Sequence, residues 1–94
     1  MSHVEAMLAA YPKDLGDIDR AKLADCIQAC FECAQTCTAC ADACLSEHMV
    51  AELTKCIRTD LDCADICVAT GALLSRHTGY DANITKSLLA ILGR

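Results

Sequence analysis

The sequence predicts an all-α fold, an antiparallel helical bundle, and three observations carry that reading. Cys26, Cys30, Cys33, Cys37, Cys40 and Cys44 recur at intervals of four, three, four, three and four. At about 100° and about 1.5 Å of rise per residue, they fill a helical stripe roughly 80° wide and about 27 Å long. No Gly or Pro interrupts residues 17–45, and no segment alternates Val, Thr and Ile with polar residues as a strand would. Hydrophobic residues make up 54% of the chain, yet Tyr11, Phe31 and Tyr80 are its only aromatics. The interior is therefore built from Ala, Leu, Ile, Val and Cys, small side chains that let helices pack closely. At 94 residues the expected organisation is one helical, cysteine-rich metal-binding domain, 1–94, with a limited core.

Taken in order, Ser2-His3-Val4-Glu5 has the form of a capping box. The short helix it opens is stopped near Tyr11-Pro12, because the residue before a proline is pushed out of the α region. After a turn over residues 13–16, Asp17 is the expected N-cap of a long helix reaching Leu45. Ile27, Phe31, Ala34, Thr38, Ala41 and Leu45 each follow a ladder cysteine, and the two rows together form the expected buried face. Ser46-Glu47-His48-Met49 reads as a tight break, with the next helix starting at Ser46 or Glu47 and running to about His77. Its seam is Cys56, Asp60, Cys63, Cys67, Thr70 and Leu74, flanked by Leu53, Ile57, Leu61, Ala64 and Val68. Gly79 is the expected αL end cap. Asp81 then caps a short third helix, Ala82 to Leu92, about 16 Å long, with Ile84, Leu88, Leu89 and Ile91 as its apolar residues and no cysteine.

The formal net charge of −5 argues against nucleic acid as a partner, since that surface needs clustered Lys and Arg. The first residues lack the basic and apolar regions of a signal peptide, and no run approaches the roughly 20 apolar residues of a membrane span. The chain is expected in the cytoplasm, away from membranes. Thiols there stay reduced, so nine cysteines point to metal rather than to a disulfide framework. Geometry agrees: helical neighbours three or four apart have Cβ atoms about 5–6 Å apart, too far for a disulfide at about 3.5–4.5 Å. A metal ion between two sulfurs spans that gap.

Thiolates select Cu(I), zinc or iron–sulfur clusters. Zinc prefers four tetrahedral ligands from CxxC pairs on loops, whereas Cys30/Cys33 and Cys37/Cys40 are slices of a continuous helical repeat. An iron–sulfur cluster wants a chain that wraps around it. Cu(I) accepts two or three thiolates, and each Cu⁺ that replaces a thiol proton leaves the core charge unchanged. Zn(II) on four thiolates would bury about −2. The expected ligand pairs are Cys26/Cys30, Cys33/Cys37, Cys40/Cys44 and Cys63/Cys67, with Cys56 completing a site from across the core.

The run CxxCAxTCxxCADACL from Cys30 to Leu45, followed by CIRTDLDCADIC from Cys56 to Cys67, resembles the cysteine-rich four-helix-bundle copper storage proteins, including their cytosolic bacterial branch. The resemblance implies a bundle whose nine cysteines hold multiple Cu(I) ions for storage or detoxification. It also implies auxiliary His, Met or Asp ligands near the bundle mouth, where His48, Met49 and Asp60 are the matching positions. Family members generally continue with more cysteine-bearing helix than these residues contain, so self-association into a completed bundle is expected. Copper ions, a second copy of the chain and a copper chaperone are the expected partners.

Two other readings stand beside this one: an iron–sulfur or zinc protein, and a structural helical module whose cysteines are core filler. His48 and Met49 are by default a solvated imidazole and a packing thioether in a turn. Asp60 reads equally as a ligand and as a hydrogen-bonded acid, and His77 as a helix C-terminal cap. Glu32, Gln35, Asp42, Asp62 and Asp65 fall on the solvent face. No nucleophile with a base and an orienting group is present, and no phosphate loop, so no enzyme activity is expected.

Overall fold

A computed structural model of the chain describes residues 2–79 and 82–92. Among these every regular element is helical. The order is α1 (His3–Ala10), α2 (Arg20–Leu45), a single 3₁₀ turn (Val50–Glu52), α3 (Thr54–Leu74) and α4 (Ala82–Leu92).

Local chemistry sets the boundaries. Ser2 Oγ accepts a hydrogen bond from the Glu5 N–H at 3.1 Å, so the N-terminal cap forms as expected. Tyr11 is extended at φ −61° and ψ 129°, and α1 stops there. The cap of α2 is Asp19, not Asp17: its carboxylate accepts from the Lys22 N–H at 3.1 Å. The reason lies in the preceding turn, where Asp14 Oδ1 accepts from the Gly16 N–H at 3.0 Å and Gly16 takes φ +73°. A helix cannot begin until that left-handed residue has been passed.

The connection after α2 is longer than expected. Ser46–Met49 does break the helix, but α3 begins at Thr54, beyond the 3₁₀ turn. At the other end α3 stops at Leu74, short of His77. The Ser75 and Arg76 N–H groups bond back three residues to Ala72 and Leu73, and Ser75 Oγ donates to the Gly71 carbonyl at 2.7 Å. That tightened last turn satisfies carbonyls that a longer helix would have used. Gly79 has φ +64° but lies in the following turn, so it does not cap α3. The Asp81 cap expected for α4 lies outside the described residues.

Phe31 lies on Gly71 and Cys33 on Cys63, so α2 and α3 form an antiparallel hairpin. Ala34, Ala41 and Ala64 are buried between them, which is the close approach small side chains permit. Thr70 is buried with its hydroxyl donating to the Ile66 carbonyl at 2.8 Å, the usual way a helix accommodates a buried hydroxyl. A compact aliphatic core of Leu8, Ala24 and Ile27, edged by Val4, Leu15, Leu23 and Leu74, fixes α1 against the hairpin.

The result is a slab of 52 × 29 × 17 Å with a radius of gyration of 16.0 Å, against about 12 Å for a compact chain of this length. The expected buried face is therefore only half realised. Of the row beside the cysteines Phe31, Thr38 and Leu45 are exposed, and of the nine cysteines only Cys30 and Cys67 are buried.

A Cβ added at Gly71 would lie 2.9–3.1 Å from three ring atoms of Phe31. Since Phe31 is 41% exposed, its ring has room to swing outward. The lost contact should then roughly offset the helix preference of Ala over Gly, about 1 kcal/mol. Gly71→Ala is expected within about 1 kcal/mol of wild type in urea unfolding, and to stabilise by about that amount in a Phe31→Ala background. A loss above about 2 kcal/mol in Gly71→Ala alone would show that the ring cannot move.

Candidate metal centre

The sulfur ladder of α2 and the cysteines of α3 line one open side of the hairpin. Helical periodicity puts Cys33 one turn from Cys37, and the antiparallel pairing puts it opposite Cys63. Its Sγ is 3.9 Å from each of the other two, and the three sulfurs lie within 4.8 Å of one another. Those separations are far beyond a disulfide bond of about 2.05 Å, and all nine cysteines are free thiols. With metal–sulfur bonds of about 2.3 Å, three sulfurs around one ion stand roughly 4.0 Å apart. The three thiols are already spaced to take a soft ion.

Electrostatics within this trio is uneven. Cys33 is held below the ordinary thiol range because Cys67, Cys37 and Cys63, in that order of weight, can donate to its thiolate. Cys37 is pushed up to about 12, first by its hydrogen bond with Cys63 and then by burial. Cys67 is likewise pushed up to about 12, by burial and then by its link to Cys33. Cys33 is thus the thiol of the group that ionises most readily, with thiol donors around it.

Iodoacetamide between pH 7 and 9 is therefore expected to modify Cys33 before Cys37, although both are half-buried and one turn apart on the same helix. Peptide mass spectrometry after brief labelling checks the order, and the reverse order would contradict it.

A second set joins Cys40, Cys44 and Asp60. Asp60 replaces a rung of the α3 seam, and its carboxylate faces Cys40. It raises that thiol by hydrogen bonding and then by charge, because a thiolate beside a carboxylate is disfavoured. Asp60→Asn should move alkylation of Cys40 to lower pH, while an unchanged pH profile would contradict this contact. Cys26 and Cys30 also neighbour each other, with Cys30 raised first by burial and then by the Cys26 charge.

The expected pairs are thus brought together at Cys26/Cys30, Cys33/Cys37 and Cys40/Cys44. Cys63 and Cys67 also neighbour each other, and both reach toward Cys33. Cys56 is exposed and belongs to neither three-donor set. His48 and Met49 are exposed in the connection, and His48 joins neither set. His77 is not a helix cap. It lies past the end of α3, its ring edge-on to Tyr11 at 5.4 Å and its Nε2 buried without a hydrogen-bond partner. Sequence reasoning missed the trio across the helices because it paired cysteines within one helix. The signal was available in the antiparallel register, which sets Cys33 opposite Cys63.

A family profile described as copper storage protein matches residues 19–92. Among solved structures, the chain is similar to the Streptomyces lividans copper storage protein Ccsp loaded with 10 copper equivalents. The identity is 65% and the TM-score 0.90, over 94% of this chain and 67% of that one. It is similar also to the same organism's protein carrying five coppers, at 67% identity and a TM-score of 0.76, over 81% of this chain and 63% of that one. The H111A mutant of that protein matches at 67% identity and a TM-score of 0.77, over 81% and 63%. No curated protein matches the sequence. The chain spans about two thirds of the length of these solved relatives. The thiol-lined hairpin, the family profile over most of the sequence and the identity to Ccsp agree, and the chain belongs to the copper storage protein family.

Proposed function

We propose that the chain stores or buffers several Cu(I) ions as cargo on cysteine thiolates, with Cys26, Cys30, Cys33, Cys37, Cys40, Cys44, Cys56, Cys63 and Cys67 as the ligand pool. The observation that carries this reading is the trio of Cys33, Cys37 and Cys63, with the Cys33 sulfur 3.9 Å from each of the other two and no bond between them. Three-donor sets suit Cu(I), which is content with two or three thiolates, better than zinc, which needs four ligands. A Cu⁺ bound for each thiol proton displaced leaves the charge unchanged, so the seam accumulates no charge when ions share bridging thiolates at about one ion per thiol. Asp60 adds an oxygen donor to the Cys40/Cys44 set, which makes that set harder and weaker for Cu(I) than the trio.

The role is storage, with no reaction turned over, in the cytosol, where the Streptomyces protein is described as acting. A copper chaperone is the expected donor, and the 94 residues act as one metal-binding domain. The apolar residues Ile84, Leu89 and Ile91 on α4 are 45–48% exposed and the sulfur side is open. Association of two copies that covers both is part of this reading, and sizing chromatography tests it.

X-ray absorption on copper-loaded protein tests the ligand assignment. Two to three sulfur scatterers per copper are expected at substoichiometric loading. A first shell dominated by nitrogen or oxygen would contradict it.

A further inference from the structure

The sulfur chemistry leaves the largest part of one flank of the molecule unused, including the groove beside α1. A half-open groove of about 480 Å³ lies between α1, α2 and the segment after α3. Ile27 and Phe31 line it, and these lie about 100° or more around α2 from the centre of the sulfur stripe. The groove therefore sits on another flank of the hairpin. Its wall is mainly aliphatic and holds no carboxylate, which excludes cations that need oxygen ligands. Its two hydroxyl groups are already engaged, Tyr11 with Thr78 at 3.0 Å and Ser75 with the Gly71 carbonyl.

Three donors in the lining remain. His77 is one, with Nε2 buried and without a partner. The others are His3 and Met7, four residues apart on α1 and so on one face, both exposed and free to reorient. We propose that His77, His3 and Met7 form a second Cu(I) site, of imidazole and thioether ligands, outside the sulfur seam. Thioether sulfur selects Cu(I) and imidazole accepts it, whereas neither binds Mg²⁺ or Ca²⁺ well. The buried Nε2 is the group that gains most, since it exchanges an unmet hydrogen-bonding position for a metal bond. Without thiolate the site binds more weakly than the seam. The groove is also much larger than one ion, which leaves room for an incoming sulfur ligand to attack a bound copper. The site is thus labile, a position for copper in transit.

The proposal rests on the reading that the chain handles Cu(I), and one experiment separates the two. The reduced chain is titrated anaerobically with Cu(I) supplied in acetonitrile, while the Met7 methyl and His77 ring resonances are followed by NMR and thiol protection by alkylation. Both resonances are expected to move together, in exchange, only after the thiols are protected. Met7→Leu is expected to remove that late phase, about one equivalent, without changing the thiol-bound copper. His77→Ala could loosen α1, so Met7→Leu and His3→Ala, at exposed positions, are the deciding variants. Thiol protection with Met7 and His77 unmoved would overturn this site alone, as would an undiminished copper count in Met7→Leu. Unprotected thiols would overturn storage on the seam, whatever Met7 does.

Discussion

Cys33→Ser is expected to weaken binding of the first Cu(I) by more than about 100-fold, since even loss of groups that merely support a ligand costs about 10–100-fold. Cys33 is the sulfur that contacts both Cys37 on its own helix and Cys63 on the opposite one. It is also the thiol whose neighbours favour its ionised form, so it gives up its proton to copper more readily than Cys37 or Cys67, both of which are pushed up. Serine keeps the shape but supplies a hard oxygen with little affinity for Cu(I). Cys56→Ser is the matched control. Cys56 is exposed and outside both three-donor sets, so its loss should lower capacity while leaving the first affinity within about 3-fold, well inside the penalty for a true ligand. Competition against a chromophoric Cu(I) chelator measures both. Equal effects of the two substitutions would mean that the trio is not where loading begins.

Ile27→Ala carries the largest expected effect on stability, about 2–5 kcal/mol. Ile27 is 2% exposed and joins Leu8 of α1 to Ala24 of α2. Few other residues in this slab are as fully enclosed, so there is little surrounding core to collapse into the cavity. Because net stabilities are about 5–15 kcal/mol and each kcal/mol shifts the melting point by about 4–8 °C in a domain of this size, the apo variant should melt at least about 8 °C below wild type. Copper should restore it. An ion that binds only the folded chain adds about 4 kcal/mol at 1,000 times its dissociation constant, and several ions add more. Thermal unfolding by circular dichroism, with and without Cu(I), checks this. An apo Ile27→Ala that melts within a few degrees of wild type would show that α1 and its contacts contribute little.

The sequence made the helices legible because period and breakers agree over residues 20–45: every ladder cysteine falls on one stripe and nothing interrupts the run. Ser2 and Tyr11-Pro12 bound α1 for equally local reasons. Boundaries governed by less local chemistry were misread. Asp17 and Asp19 are equally good caps in isolation, and the left-handed turn at Gly16 decides between them. The end of α3 depends on Ser75 folding back on Gly71, and the start of α3 on a 3₁₀ turn with no strong sequence mark. At the site, the donor type and the stripe were legible, and so was Asp60 as the odd rung. The partnership of Cys33 with Cys63 depends on the axial register of α2 and α3. That register is set by Ala34, Ala41, Ala64 and the Phe31–Gly71 contact, which no single-helix pattern encodes. His77 was misplaced for a related reason: its surroundings come from α1, distant in sequence, through Tyr11.

The claim that this hairpin is a multi-ion Cu(I) store is tested most directly by anaerobic titration of the fully reduced chain with Cu(I), followed by gel filtration and metal analysis of the protein peak. The arrangement of thiols predicts several Cu(I) retained per chain in the presence of a competing chelator, with the cysteines protected from alkylation. Retention of one ion or none, with the thiols still reactive, would contradict it.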